Sequence, residues 1–189
     1  MSVSVILCAA GKGTRAGFEK NKLLVPLLGI SILERSICAL LPYCDEVVVS
    51  ANPRDFDELL PLQNKYGFIL VEGGATRTQS VFNALKASTG EIVLVHDGAR
   101  PYLTGACIQD CIKSVQTHGS GICAVPVVDT LATERDGVIV SYPERARSFA
   151  VQTPQGFYLK DLLSAYEKAF AEGKTEFTDD SSLYATYAC

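Results

Sequence analysis

The chain has 189 residues, 48% of them apolar, and its 17 basic and 21 acidic side chains give a net charge of −4. This length fits one domain with a substantial core, and the acidic balance argues against a nucleic-acid-binding protein. No apolar run approaches the ~20 residues that span a bilayer, and the N-terminus lacks the basic start and cleavage site of a signal peptide. The seven cysteines include no CxxC pair, which is typical of reduced thiols, so we expect a cytoplasmic protein without a membrane segment.

Predicted strands and helices alternate along most of the chain. Short apolar runs predict strands at residues 3–8, 46–50, 68–72, 91–96 and 121–125. Periodic apolar patterns predict helices at residues 31–41, 55–66, 78–88 and 104–118. The first helix opens with a capping box from Ser31 to Glu34, and Pro61 is expected to bend or break the second. This alternation predicts an α/β fold with a doubly wound, mostly parallel, Rossmann-like sheet, whose first four strands lie in the order 3-2-1-4.

The alternation stops between residues 127 and 155, where short runs flank Asp136-Gly137 and no helix intervenes. An Asp-Gly pair between alternating runs predicts a β-hairpin. We therefore expect an extended β-arm, residues 129–152, protruding from a single domain that spans residues 1–189. Two helices are predicted after the arm, one at residues 159–172 and a short one capped by the TDDS sequence at 178–181.

A glycine-rich, basic segment follows the first predicted strand. Its glycines and cations are Gly11, Gly13, Gly17, Lys12, Arg15, Lys20 and Lys22. Glycines let the backbone approach a ligand with its N–H groups turned inward, and the cations then face the same space. The spacing matches neither the GxGxxG fingerprint nor the P-loop. An ordinary turn with a solvated basic edge is the alternative, but the placing of Arg15 and Lys22 favours a polyphosphate site.

Three further segments carry candidate ligand contacts. The loops after the third and fourth strands fall at the same sheet edge as the glycine-rich segment, where open α/β sheets bind ligands. In the second of these loops, Asp97 is either a turn aspartate or a contact to a ligand hydroxyl or metal, and Arg100 is either a surface residue or an anion contact. In the arm, Arg145 and Arg147 could each fork onto a phosphate, and their spacing does not choose between them.

Taken in order, these segments resemble the 2-C-methyl-D-erythritol 4-phosphate cytidylyltransferase family from about residue 5 to about residue 184. The markers are AAGKGTR at residues 9–15, Lys22, GG at 73–74, RTQS at 77–80, VHDGARP at 95–101, PVVDT at 126–130, Arg145, TPQ at 153–155 and TD at 178–179. The resemblance implies a nucleotidyltransferase fold and the reaction of CTP with methylerythritol phosphate, which releases pyrophosphate in isoprenoid precursor biosynthesis. It also implies Mg²⁺ bound mainly through the CTP phosphates, without a confident protein ligand.

The resemblance assigns roles residue by residue. It implies that Arg15 and Lys22 stabilise the transition state. The positions matching the polyol phosphate site are Arg145, Thr130, Asp97, Arg100, Thr153 and Thr178. The positions matching the nucleotide site are Ala9, Ala10, Gly11, Gly13, Gly74 and Ser80. It further implies a homodimer formed through the arm, in which Arg145 and Thr130 serve the site of the partner.

Two departures from the family pattern are visible. The chain has Asn21-Lys22-Leu23 where many members have Pro-Lys-Gln, which we expect to be a peripheral change. Members also continue past the position of Cys189 with a strand, a helix and a further lysine that contacts the substrate phosphate. The resemblance therefore implies that this sequence lacks that C-terminal segment. Two alternatives stay open: a polyol cytidylyltransferase acting on ribitol 5-phosphate, and a truncated CTP-binding protein without catalysis.

Overall fold

A six-stranded sheet lies at the centre of the computed structural model, which describes residues 1–11 and 21–188. The strands are β1 (Val3–Ala9), β2 (Pro26–Leu27), β3 (Ile30–Ser31), β4 (Glu46–Ala51), β5 (Ile69–Glu72), β6 (Ile92–Asp97), β7 (Ser120–Pro126), β8 (Thr133–Arg135), β9 (Val138–Ser141) and β10 (Phe149–Tyr158). The helices are α1 (Ile32–Leu40), α2 (Phe56–Tyr66), α3 (Arg77–Ala87), α4 (Gly105–His118), α5 (Leu159–Ala171) and α6 (Asp180–Tyr187).

The central sheet has the order β5-β4-β1-β6-β10-β7, which confirms the predicted order of the first four long strands. Neighbours among β5, β4, β1 and β6 are parallel, whereas β10 runs antiparallel to both β6 and β7. The predicted α/β fold with a mostly parallel sheet is therefore confirmed. The strand order reverses between β1 and β6, which is where such folds leave a crevice for ligands.

Alternate residues of β1 face opposite sides of the sheet and contribute to two separate cores. Val5 and Leu7 belong to the core that includes Ile37 of α1, whereas Ile6 belongs to the core that includes Leu85 of α3. These side chains are fully buried or nearly so, and each such burial stabilises the fold by about 1.5–3 kcal/mol. Helices thus cover both faces of the sheet. A ligand can therefore reach the sheet only at the ends of its strands.

A β8–β9 hairpin protrudes beyond the sheet, as the Asp-Gly pair predicts. Asp136 and Gly137 have φ values of 53° and 78°, and positive φ at both central residues is the signature of a type I′ turn. Large apolar side chains are exposed along the arm and just before it, namely Val128, Val138, Ile139, Val140, Tyr142 and Phe149. The chain then returns to the sheet earlier than predicted, because β10 pairs with β7 from Phe149 onward. Residues 149–152 of the predicted arm thus extend the sheet.

Two local predictions differ from the structure in detail. Ser31 caps α1 by accepting a hydrogen bond from the Glu34 N–H at 3.1 Å, as predicted. The Glu34 carboxylate, however, does not complete a capping box, because it accepts hydrogen bonds from Lys65 Nζ at 2.9 Å and Tyr66 Oη at 2.7 Å. Helix α2 passes through Pro61 without a break, since proline removes one intrahelical hydrogen bond and packing of the flanking turns holds the rest.

Candidate active site

The loops that follow β1, β5 and β6 meet at the carboxyl edge of the sheet. The Gly98 N–H donates to the Cys8 carbonyl at 3.1 Å, which joins the β6 loop to the end of β1. The Gly73 N–H donates to the Ala51 carbonyl at 2.8 Å, which joins the β5 loop to the end of β4. The described start of the segment after β1 therefore lies at the same edge of the sheet as the loops after β5 and β6.

Three of the predicted nucleotide-binding positions, Ala10, Gly74 and Ser80, lie where the β5 loop crosses the end of β1. A Cβ added to Gly73 would lie 2.4 Å from the Ala10 Cβ, so this close approach requires glycine. The Ser80 hydroxyl accepts a hydrogen bond from the Gly74 N–H at 3.0 Å and donates to the Thr76 carbonyl at 2.8 Å. The Ser80 hydroxyl is thus committed to holding the Gly73-Gly74 loop, and Gly74 is left with its carbonyl oxygen for a ligand.

Lys22 is the one predicted catalytic cation that falls within the described part of the chain. It begins a 3-10 turn, Lys22–Leu24, and its side chain is exposed. The neighbouring Leu23 is buried beside the β6 loop, since a Cβ on Gly98 would lie 3.3 Å from Leu23 Cδ1. Lys22 forms no ion pair with residues 1–11 or 21–188, so no carboxylate in those ranges competes with an anion for its ammonium. Arg15 and Gly13 lie outside the described residues.

Asp97, at the end of β6, is held between two arginines. Its Oδ2 lies 3.2 Å from the Nε of Arg100, and its Oδ1 lies 3.5 Å from the Nε of Arg77. Arg100 also donates through Nη1 to Gln152 Oε1 at 3.1 Å, which ties the pair to β10. Asp97 and Arg100 are both partly exposed. The arrangement therefore presents an oriented carboxylate and an oriented guanidinium to the crevice.

A buried hydrogen-bond chain supports this loop from below. His96 is 1% exposed, and its Nε2 lies 3.0 Å from the Arg100 carbonyl, which can only accept. Nε2 therefore carries the proton, and Nδ1 accepts from the Thr153 hydroxyl at 3.0 Å. Thr153 in turn accepts from the Asp97 N–H at 3.2 Å. His96 is thus a hydrogen-bonded structural histidine, and burial lowers its pKa.

The start of α6 is hydrogen-bonded to β10 two residues beyond Thr153. Gln155 of β10 donates to Asp179 Oδ2 at 3.2 Å and accepts from the Ser181 N–H at 2.8 Å. Asp179 caps α6 through the Ser182 N–H at 2.8 Å. Burial opposes ionisation of Asp179, but hydrogen bonds from Ser182, Gln155 and Ser181 outweigh it and lower the pKa of that carboxyl. Thr178 is exposed just before this cap, so its predicted place beside the other substrate residues is compatible with the structure.

A cleft of about 690 Å³ opens beside Arg100 and is large enough for a small ligand. Its polar wall contains Arg100, Gln152 and Thr153. The predicted substrate residues Arg145 and Thr130 lie instead in the exposed arm, where Arg145 Nη1 donates to the Val128 carbonyl at 3.3 Å. The structure thus separates the predicted substrate residues into a group near the sheet edge and a group in the arm.

Three residues of the site carry structural roles that sequence reasoning missed. Arg77 was only a family marker, Asn21 was treated as a peripheral change, and Asp180 was part of a helix cap. Each forms hydrogen bonds to residues distant in sequence. The only available signals were polar residues at helix or turn boundaries, which are common in any protein. Within residues 1–11 and 21–188, no group of three or more His, Cys, Asp or Glu side chains is arranged to hold a metal ion, and no helix is long and apolar enough to cross a membrane.

Comparison with known proteins identifies the family. The sequence matches the profile of the 2-C-methyl-D-erythritol 4-phosphate cytidylyltransferase family over residues 3–188. A cytidylyltransferase of that name from Bacillus mycoides is 40% identical over 189 residues, which cover 95% of this chain and 82% of the relative. One from Thermosynechococcus vestitus is also 40% identical, over 95% of this chain and 80% of the relative.

Solved structures agree with the sequence comparisons. The 4-diphosphocytidyl-2C-methyl-D-erythritol synthase from Anaerococcus prevotii has a TM-score of 0.85 and 28% identity, covering 98% of this chain and 84% of the other. The 2-C-methyl-D-erythritol 4-phosphate cytidylyltransferase from Thermus thermophilus has a TM-score of 0.80 and 31% identity, with the same coverage. With its profile match, its 40% identical relatives and this shared fold, the chain belongs to the 2-C-methyl-D-erythritol 4-phosphate cytidylyltransferase family.

Proposed function

We propose that this chain transfers the cytidylyl group of CTP to the phosphate of 2-C-methyl-D-erythritol 4-phosphate, forming CDP-methylerythritol and pyrophosphate. The observation that carries the proposal is the family match over residues 3–188. The site supports it, because the glycine-bearing loops and the Asp97–Arg100 pair face one crevice at the switch point of the sheet. A transfer between two substrates needs a surface that binds the nucleotide beside a surface that binds the acceptor.

The proposed chemistry needs positioned charges rather than a protein nucleophile. A phosphate oxygen of the polyol phosphate attacks the α-phosphorus of CTP in line, and a new P–O bond forms. The bond from the α-phosphorus to the bridging oxygen of the β-phosphate breaks, and pyrophosphate leaves with that electron pair. Lys22, and Arg15 by resemblance, stabilise the extra negative charge of the transition state.

The nucleotide side is assigned to the backbone around Ala10 and to the Gly74 loop. Because the Gly74 N–H is occupied by Ser80, Gly74 offers a carbonyl oxygen to the base. A carbonyl oxygen accepts a hydrogen bond from the exocyclic amino group of cytosine. Uracil carries a carbonyl at that position, which cannot donate a hydrogen bond. This arrangement supports a preference for CTP over UTP.

Mg²⁺ is proposed to bind mainly through the CTP phosphates. Both oxygens of Asp97 already face arginine nitrogens, at 3.2 Å and 3.5 Å, which makes this carboxylate a poor ligand for a hard cation. Triphosphate oxygens and water are therefore the donor set that fits. When bound, the ion supplies partial neutralisation of the triphosphate charge, and Arg100, Lys22 and the backbone orient the reacting groups.

A homodimer formed through the arm, residues 129–152, completes the proposal. Exposed apolar side chains along the arm need a cover, and a contiguous apolar surface on a protein commonly marks an interface. In the dimer, Arg145 and Thr130 of one protomer reach the polyol phosphate bound by its partner. A cytoplasmic location is also proposed, because the cysteines among the described residues are free thiols.

The test incubates the purified chain with CTP, methylerythritol phosphate and Mg²⁺ and measures pyrophosphate and CDP-methylerythritol. Product that depends on both substrates, and that is reduced in Arg15→Ala and Lys22→Ala, supports the proposal. Turnover with ribitol 5-phosphate alone supports the polyol cytidylyltransferase alternative. CTP binding without product supports the non-catalytic alternative.

A further inference from the structure

The Asn21 side chain is buried at the base of the Lys22 turn and joins three segments of the chain. It is 3% exposed, and its Nδ2 donates to the Ala9 carbonyl at 3.0 Å and to Asp55 Oδ2 at 2.9 Å. Its Oδ1 accepts from the Leu23 N–H at 3.1 Å. One amide therefore ties the turn to the end of β1 and to the residue that precedes α2. A buried amide is tolerated only when it is hydrogen-bonded in this way.

These hydrogen bonds fix the backbone on both sides of Lys22. The Leu24 N–H also donates to the Asn21 carbonyl at 3.0 Å, which closes the turn after the lysine. The Lys22 side chain is exposed and has no ion-pair partner within the described ranges, so what the structure fixes is the position of its backbone in the turn that Asn21 holds. Misplacing a catalytic group by 1 Å can lower a rate by about 100-fold.

We infer that Asn21 is a positioning residue for cytidylyl transfer, which acts by fixing Lys22 against Ala9 and Asp55. The inference rests on the proposed function, because it takes Lys22 as the cation that stabilises the transition state. Removal of a merely structural amide would lower stability and would reduce kcat equally with or without the lysine. A positioning amide matters for catalysis only while the lysine is present.

A double-mutant cycle separates these two roles. Asn21→Ala is expected to lower kcat by about 10- to 100-fold, with the KM for CTP changed by less than about twofold. In a Lys22→Ala background, the same substitution should lower kcat by less than about threefold, because the group that it positions is gone. An equal loss in both backgrounds, or a wild-type kcat for Asn21→Ala, would overturn the inference.

Three further variants separate the proposed role from a general loss of folding. Tyr66→Phe removes a 2.7 Å hydrogen bond to Glu34, outside the candidate site, and should leave kcat unchanged. Asn21→Asp sets a second carboxylate against Asp55, and adding Asp55→Asn restores a donor at this contact. We expect the double variant Asn21→Asp/Asp55→Asn to have a kcat at least about tenfold higher than that of Asn21→Asp alone. No recovery in a folded double variant would contradict the role of Asp55.

Amide exchange gives a readout that does not require activity. The Leu23 N–H donates to Asn21 Oδ1, so Asn21→Ala should accelerate its exchange while core amides of β1 keep theirs. An unchanged Leu23 exchange rate contradicts the inference even if the enzyme is active. A wild-type chain that makes no product while Leu23 exchange does respond instead contradicts the proposed function and the catalytic part of the inference, and leaves Asn21 as a structural residue.

Discussion

The guanidinium of Arg77 forms an ion pair with the fully buried carboxylate of Asp180, with Nη2 2.8 Å from Oδ2. Tyr166 donates to the other carboxylate oxygen at 2.5 Å. The same guanidinium faces Asp97 at 3.5 Å, so one side chain links the interior to the candidate site. Burial and the charge of Asp180 raise the pKa of Tyr166, which keeps that phenol protonated as a donor.

Removal of Arg77 should destabilise the fold strongly. Arg77→Met leaves the buried Asp180 without its cation, and breaking a buried ion pair in this way typically costs about 3–5 kcal/mol of the free energy of unfolding. The double variant Arg77→Met/Asp180→Asn should recover part of that loss, since no unpaired charge remains. Chemical denaturation measures both. Equal stability of the single and double variants would show that the charge of Asp180 does not need Arg77.

His96 should make the protein less stable as the pH falls below about neutrality. Burial lowers its pKa below the ordinary value of 6.5, so below that pH the unfolded chain binds more protons than the folded one. The free energy of unfolding should therefore fall by up to about 1.4 kcal/mol per pH unit between pH 6.5 and the lower folded pKa. The depressed pKa values of Glu34 and Asp179 act only near and below their ordinary values of 4.5 and 3.8.

Urea unfolding between pH 5 and 8 would measure this dependence. His96→Asn should remove most of the slope between pH 5 and 6.5. A slope that persists in His96→Asn would assign it to another group. The charged neighbours of His96 act on its pKa in opposite directions, since Asp97 raises it and Arg100 lowers it.

Gly73 should not tolerate a methyl group unless the facing methyl is removed. Gly73→Ala places a Cβ 2.4 Å from the Ala10 Cβ, which pushes the β5 loop away from the end of β1. We expect the KM for CTP to rise by about tenfold or more, because an overpacked contact costs about 1–3 kcal/mol. The variant Ala10→Gly/Gly73→Ala moves the methyl across the contact and should restore much of the affinity. Steady-state kinetics with varied CTP would reveal whether it does.

The arm should exchange catalytic residues between protomers. An Arg15→Ala protomer paired with an Arg145→Ala protomer contains one site with both arginines, if Arg145 serves the partner. Such a heterodimer should regain activity that neither homodimer has. Sedimentation would establish the dimer, and product formation would report the complementation. An inactive heterodimer would mean that Arg145 acts within its own chain.

Sequence reasoning predicted features that depend on local pattern. Buried runs predicted the strands, and Asp136-Gly137 predicted the hairpin turn that the structure has. Sequence reasoning did not predict that β10 lies between β6 and β7, because an alternating run does not reveal which strands it will pair with. It also missed the Arg77–Asp180 pair, whose members are 103 positions apart. Contacts of this kind arise because α3, α5 and α6 pack into one core, and no local pattern in the sequence encodes them.

The candidate site also combines features that local sequence predicts with features that only the folded structure reveals. The sequence pointed to the loops containing Ala10, Gly74 and Asp97, because strand ends in such sheets carry ligand contacts. The commitment of the Ser80 and Thr153 hydroxyls to neighbouring backbone and to His96 depends on the folded geometry. The roles assigned to Arg15, Lys22 and Arg145 stay predictions that kinetics must test.

Transfer of the α-phosphate of CTP tests the central claim most directly. CTP labelled at that phosphate is incubated with the chain, Mg²⁺ and methylerythritol phosphate, and the products are separated. The proposed function predicts that the label appears in CDP-methylerythritol, with one pyrophosphate released per product, and that Lys22→Ala slows this by roughly 100-fold or more. A wild-type chain that binds CTP and leaves the label in CTP would contradict it.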